Sequence, residues 1–347
     1  MNYQKQSSET VLIVNPNSSG GSTGKNWDSL YNQVRQIIGG YPEVAFSKKP
    51  GDGTTLARDS LRKGFKKVVA LGGDGTINEV ANGFFEEITL ENYDNTNGNA
   101  GLELPMLRTK NPDAMMGLIP IGSRNVLAKS LDLPDGIVEC CQRFVNTKPK
   151  KIDVIAASIS KVREDPNTEA NNHKIKVRIF LNAAEIGVGA EIINRSKKIR
   201  DRIKSRFIST ISSVIATVPA YESNLCEISI DDGQKSLLSK MTMGVIANGR
   251  YLGGGFRAAP RANISDGLLD ITILKNSGSF KMLEGFVNMK GDDKDYTQDN
   301  NDIFYYQAKK VFIRSKERDI TVTLDGEPAG VLPATFRVYP DALNVIF

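Results

Sequence analysis

The sequence predicts an α/β fold: a doubly wound parallel sheet followed by a β-rich second domain built as a sandwich. Three observations carry that expectation. From about Thr10 to Lys148 short apolar runs alternate with helical patterns, the mark of βαβ units. From about Lys151 onward the chain turns to short β-rich runs with few helices, as in a sandwich. The 347 residues also exceed what one hydrophobic core usually holds. The boundaries read from this are a first domain over 1–150, carrying a polar insertion over 88–115, and a second over 151–347. The extreme C-terminus is expected to pack back on the first.

Taken in order, Val11–Val14 is an apolar strand that ends in Asn15-Pro16-Asn17-Ser18-Ser19-Gly20-Gly21. The helix after it has Trp27, Leu30, Tyr31, Val34, Ile37 and Ile38 at helical spacing. Glu43–Phe46 is the second strand. Val68–Leu71 is the third and runs straight into Gly72-Gly73-Asp74-Gly75-Thr76, with a helical pattern opening on Asn78, Val80, Ala81 and Phe84. Ile88 to Met115 is too polar for a packed element and reads as an insertion. Leu118–Ile121 is the fourth strand, ending in Gly122-Ser123-Arg124-Asn125 before Val126–Leu131. In the second half, strands are expected at Ile152–Ala156, Val177–Leu181, Glu227–Ile230, Met243–Ala247, Leu268–Leu274, Val311–Ile313, Ile320–Leu324 and Phe336–Val338. Helices are expected near Glu191 to Val218 and Phe280 to Met289, and loops at Lys161 to His173 and Gly291 to Asp302.

The chemistry gathers at the strand ends. In an open α/β sheet these ends lie along one rim, where ligands bind. Glycines there allow close backbone approach and φ > 0, and the amides of a following helix start suit a phosphate. Asp74 cannot favour phosphate by itself, so it must bridge through Mg²⁺ or order the loop amides. Ser22-Thr23-Gly24-Lys25 is not a P-loop: Gly20 and Gly24 stand one residue too close, and Asn26 occupies the place of the Mg²⁺-binding hydroxyl. Near the C-terminus Asp325-Gly326-Glu327 places two carboxylates around a turn-forming glycine.

Composition narrows the classes. The net charge of +5 is modest. No apolar run approaches the roughly 18 residues of a transmembrane helix, and Met1 to Glu9 has no apolar core of a secretory signal. Three cysteines cannot all pair, which points to a reducing cytosol. With a single histidine, His173, a His/Cys zinc site or a Ser-His-Asp triad is a poor expectation. Basic residues crowd 195–206, either as a solvated helix face or as a patch for anionic lipid headgroups. Aromatics are not interleaved among them, so nucleic acid is not expected.

These motifs, in this order, resemble the lipid-kinase superfamily of diacylglycerol kinases, sphingosine kinases and soluble bacterial lipid kinases. The resemblance runs from Asn15-Pro16 to Pro333-Ala334. It rests on Asn15-Pro16, Gly72 to Glu79, Gly122 to Asn125, Asn248-Gly249, Ile264-Ser265-Asp266-Gly267 and Asp325-Gly326-Glu327. It implies an ATP-dependent kinase whose active site lies between a nucleotide domain and a β-sandwich, acting on a diacylglycerol-like lipid at the membrane surface. It also implies a cytoplasmic protein in transient contact with the membrane; a homodimer is left open. The implied nucleotide residues are Asn15, Pro16, Asn17, Ser18, Ser19, Ser47, Gly72, Gly73, Asp74, Gly75, Thr76, Ile77, Asn78, Ser123 and Asn125. The implied Mg²⁺ ligands are Asp266 with backbone oxygens near Asn263 and Leu268. Glu327 is the implied proton acceptor, with Asp325 orienting it or Mg²⁺. Ser47 and Ser123 stand where these enzymes often have Thr. Val126 replaces a common Asp, which shifts metal handling toward Asp74 or Asp153. Two alternatives remain: an NAD kinase-like enzyme, which shares Gly-Gly-Asp-Gly, and a non-catalytic nucleotide- or lipid-sensing module.

Overall fold

Apolar strands buried on both faces dictate the first half. In the computed structural model, which describes residues 9–86, 104, 106–160, 175–200, 221–253, 256–275 and 302–347, the chain forms two compact units. The first unit comprises Met1–Glu87, Met106–Ile152 and Asp341–Phe347, and the second Ile88–Pro105 and Asp153–Pro340.

In the first unit, β1 (Thr10–Val14), β2 (Glu43–Phe46), β3 (Lys67–Gly72) and β4 (Met115–Pro120) form a parallel sheet in the order β2-β1-β3-β4. Val345 and Ile346 extend it, pairing in parallel with Met116 and Gly117. Every residue of β1 is buried, as a central parallel strand requires. Between the strands run α1 (Ser22–Lys25), α2 (Trp27–Ile38), α3 (Asp52–Arg62), α4 (Asp74–Gly83), α5 (Val126–Ser130) and α6 (Ile137–Asn146). Leu30 and Val34 of α2 and Cys141 and Phe144 of α6 share one core with Leu12, Val14, Val69, Leu71 and Ile119. The alternate strand residues, Val11, Ile13, Val68 and Ala70, point to the opposite face, and α3 and α4 pack on each other and on β1 and β3. Gly83 makes that packing possible, since a Cβ there would stand 2.5 Å from the Ala57 Cβ.

The second unit is antiparallel. Its strands are β5 (Lys150–Ser160), β6 (Ile175–Phe180), β7 (Ala183–Gly187), β8 (Asn224–Ile230), β9 (Lys235–Ala247), β10 (Leu269–Lys275), β11 (Ile303–Ala308), β12 (Lys310–Ser315), β13 (Thr321–Leu324) and β14 (Glu327–Ile346). One path runs β11-β10-β9-β7-β13-β14; β8 joins β9 to β12, β12 pairs with β14, and β5 pairs with β6. A core from Ile155, Phe180, Ile186, Ile228, Ile246, Ile271, Val311, Val322 and Phe336 fills the sandwich. α7 (Val188–Arg200) follows β7, and its Val188 and Ile192 join a second cluster with Val245, Ala258 and Leu274.

The structure departs from expectation at several points. β7 and β11 were not predicted. The first, Ala-Ala-Glu-Ile-Gly, has small residues at both faces and a buried glutamate, so neither alternation nor β-branching announces it. β14 covers 20 residues where only Phe336–Val338 was expected, because prolines and a glycine interrupt its pattern. Met115 opens β4 instead of closing an insertion, and the Glu86 and Lys110 amides donate to the Arg108 and Phe84 carbonyls. α4 begins at Asp74, not near Asn78. The expected helix 280–289, the loop 161–173, residues 291–301 and the side chains of the basic segment beyond Arg195 lie outside the described residues.

Candidate active site

The candidates divide between the units. In the first, all follow strand ends. β1 runs into a bend in which the Asn15 carboxamide accepts from the Asn17 amide (3.0 Å) and donates to the Thr76 hydroxyl (3.2 Å). Pro16 turns the chain so closely that a Cβ on Gly24 would meet the Pro16 Cβ at 3.0 Å. Ser18 is buried and its carbonyl accepts from Thr23 Oγ1. Ser19 stands at φ 52° and its hydroxyl donates to the Ile121 carbonyl. Ser47 is buried beyond β2, its amide donating to the Val14 carbonyl.

The glycines at the end of β3 act through space, not through φ. None of Gly72, Gly73 and Gly75 has a positive φ, contrary to one of the two roles predicted for them. A Cβ on Gly72 would strike the Thr76 Cβ at 2.6 Å, and one on Gly122 would strike the Gly73 Cα at 2.6 Å. The ends of β3 and β4 therefore touch backbone to backbone, with the Ile121 amide donating to the Gly72 carbonyl at 2.8 Å. The left-handed conformation falls instead on Ser19, Gly20, Gly21 and Asn125.

Three helix starts in this unit differ in what satisfies their amides, which have no partner within the helix. Before α3 the Asp52 carboxylate accepts from the loop amides of Lys48 (2.8 Å) and Lys49 (3.0 Å), and the helix start itself is served by Glu79. Glu79 accepts from Gly51 (2.7 Å) and Gly53 (3.0 Å). At α5 the Asp74 carboxylate accepts from Val126 (2.6 Å) and Leu127 (3.4 Å). Asp74 thus holds the first two amides of α5, a remote helix, rather than the glycine amides of its own loop. Burial pushes the Asp74 carboxyl above the ordinary range, against the pull of the Val126 amide and Arg124. At α4 the cap residue is Gly73, which has no side chain, and the carboxylate of the first residue, Asp74, also takes the Asp74 amide. Ile77, by contrast, buries its side chain and donates its amide to the Gly73 carbonyl, and Asn78 is buried with its side chain beside Asn82. Ser123 is exposed. Asn125, at φ 47°, has a buried Oδ1 without a hydrogen-bond partner.

In the second unit, Asp325 and Gly326, at φ 47° and 77°, form a two-residue hairpin turn between β13 and β14, with Leu324 opposite Glu327. Both positive φ values are what a two-residue turn of this hand needs. Glu327 is therefore the first residue of a strand, exposed to solvent. The Asp325 carboxylate accepts from the amides of Leu181 (3.1 Å), Asn182 (3.0 Å) and Ala183 (3.1 Å). In the 263–268 turn, Asn263 Oδ1 accepts from the Ser265 amide and hydroxyl, and Asp266 Oδ1 accepts from the Leu268 amide. Buried Asp153 supports the turn from within, accepting from the Gly267 amide at 2.7 Å while its own amide donates to the Ile264 carbonyl. Asp266 is exposed, and with neighbouring carbonyls it offers the all-oxygen donors that suit Mg²⁺.

Sequence reasoning left out Glu79, Asp52 and Asn182 as site-builders. Glu79 had one signal: its position follows the Gly-rich turn, while Gly51 and Gly53 bracket the start of another helix.

The protein thus pairs a parallel α/β unit that has glycine-tight strand ends with an antiparallel sandwich, a two-domain class whose activity the fold alone does not decide. Residues 9–157 match the family "Diacylglycerol kinase catalytic domain", and residues 182–347 match "YegS C-terminal NAD kinase beta sandwich-like domain". The chain belongs to this lipid kinase family. It is 26% identical to "Probable lipid kinase YegS-like" of Chromohalobacter salexigens over 303 residues, covering 85% of this chain and 82% of that one. It is 23% identical to "Diacylglycerol kinase" of Bacillus subtilis, covering 94% and 91%. Its fold matches a crystal structure described as a diacylglycerol kinase from Bacillus anthracis, with a TM-score of 0.66, 21% identity and coverage of 98% and 97%. Among the described residues no helix is long and apolar enough to cross a membrane.

Proposed function

We propose that the chain is an ATP-dependent lipid kinase that transfers the γ-phosphoryl group to the hydroxyl of a diacylglycerol-like lipid presented at a membrane surface. One observation carries the nucleotide half of this reading. The starts of α3 and α5 are met by carboxylates from elsewhere in the chain, Glu79 and Asp74, whereas α4 opens on Gly73, a cap residue without a side chain. Such a start is where a phosphate is held, and Gly72, Gly73 and Gly122 let the two strand ends close up beside it. In this reading Asn15 to Ser19, Ser47, Gly72 to Asn78, Ser123 and Asn125 surround the nucleotide.

In the second unit, Asp266 with the carbonyls of Asn263 and Leu268 would hold Mg²⁺, which when bound supplies positive charge and a fixed turn. Glu327 takes the proton of the acceptor hydroxyl as the oxygen attacks phosphorus. Asp325, whose carboxylate accepts three backbone amides, serves as an orienting group. The test is incubation of the protein with γ-labelled ATP, Mg²⁺, NAD and a total lipid extract, with mass identification of the product. A phosphorylated lipid is expected. Label appearing on NAD and on no lipid overturns the reading.

A further inference from the structure

Residues 181–183, which join β6 to β7, are gripped from both sides. β7 lies between β9 and β13, with Ala183 opposite Ala247 and Ala184 opposite Leu324. Asn248 and Asp325 are therefore the next residues along the two flanking strands. On the β13 side, the amides of Leu181, Asn182 and Ala183 all donate to the Asp325 carboxylate, and the Asp325 amide donates to the Ala183 carbonyl at 2.8 Å. On the β9 side, the amides of Asn248 (2.8 Å) and Gly249 (3.0 Å) donate to the Asn182 carbonyl. Asn248 Nδ2 donates to the Leu181 and Asp153 carbonyls, both at 2.9 Å. Asn248 is 0% exposed. Because only an NH₂ group can face two carbonyls, its amide has one possible orientation. Its Oδ1 is left without a partner, an expense that an apolar residue would avoid.

We infer that Asn248 is a positioning residue for Glu327, acting through the 181–183 corner and the Asp325 carboxylate. The inference rests on the reading of Glu327 as proton acceptor. Asn248 sets the Leu181 and Asn182 peptides, and those peptides aim their amides at Asp325. Asp325 holds the two-residue turn, and the next residue is Glu327. A displacement of about 1 Å at the end of such a chain lowers turnover about 100-fold.

The full chain is assayed with labelled ATP and the lipid extract, as wild type, Asn248→Ala, Asn248→Ser, Asp325→Asn, Asn248→Ala/Asp325→Asn and Glu327→Gln. Asn248→Ala is expected to lower kcat about 10- to 100-fold, with KM for ATP within about twofold. Asn248→Ser, which keeps one donor, recovers part of the loss. The double variant is no worse than the poorer single, because both act along one chain of contacts. A wild-type kcat in folded Asn248→Ala, with Glu327→Gln inactive, overturns the inference, and so do multiplicative losses in the double variant. An active Glu327→Gln overturns the proton-acceptor reading instead. If Asn248→Ala melts below assay temperature, Asp325→Asn must show the same fall in kcat at unchanged ATP KM, or the inference falls.

Discussion

Asp74 in the parallel unit and Asp325 in the antiparallel unit use the same device under different conditions. Each is a carboxylate that accepts backbone amides from a distant stretch of chain: Asp74 from Val126 and Leu127, Asp325 from Leu181, Asn182 and Ala183. Asp74 sits at a helix start, and burial raises its pKa, so its charge works against desolvation. Asp325 sits on a hairpin turn and takes one more amide. The difference teaches that in the parallel unit a carboxylate at one helix start fills the start of another, whereas in the sandwich it locks a corner beside a turn that leads to a second carboxylate.

The sharpest way to break this comparison is Glu327→Gln. Turnover should vanish while ATP binding stays within a few fold, since in the proposed reading proton acceptance is lost and the nucleotide is held by residues of the other unit; isothermal titration and the labelled assay measure the two. Asp325→Asn and Asp74→Asn come next. Losing charge-assisted bonds to three amides should lower stability by about 3 kcal/mol in Asp325→Asn. Asp74→Asn should lose only about 1 kcal/mol, because removing the buried charge offsets part of the loss. Urea melts of the two variants decide the order, and equal losses would remove the contrast.

Glu79→Gln should be milder: its second oxygen becomes an NH₂ facing an amide N–H, which costs about 1 kcal/mol and loosens the 48–53 segment, read as a raised KM for ATP. The smallest effect concerns the thiols. Burial pushes Cys140 up to about 11 and Cys141 and Cys226 up to about 12. The unfolded chain therefore loses these protons first, so their contribution is unchanged below pH 9 and stability falls as pH rises from about 9 toward 11–12. At pH 8 a disulfide reagent should label the native protein far more slowly than the unfolded chain.

Much of the parallel unit was legible. β1, β2 and β3 fall within a residue of their predicted spans, and α2 lies on Trp27–Ile38, because continuous apolar runs and a 3.6-residue period are local properties. The turn at Asp325-Gly326 was readable from a dipeptide. Less legible were β7, with its buried Glu185, and the length of β14, whose residues are strand only because neighbours pair with them. Gly72 and Gly122 were marked as special, yet the reason is the approach of two strand ends, which no window of sequence displays.

By itself the sequence determined the order of elements in the first unit, the glycine-bearing strand ends and the family motifs, since periodicity, turn chemistry and spacing act over a few residues. Tertiary structure alone decided which amide each carboxylate meets: Val126 for Asp74, Gly51 and Gly53 for Glu79, Leu181 to Ala183 for Asp325. Hydrogen bonds act over about 3 Å, so partners separated by 26 to 144 residues become partners only when strand register sets them side by side.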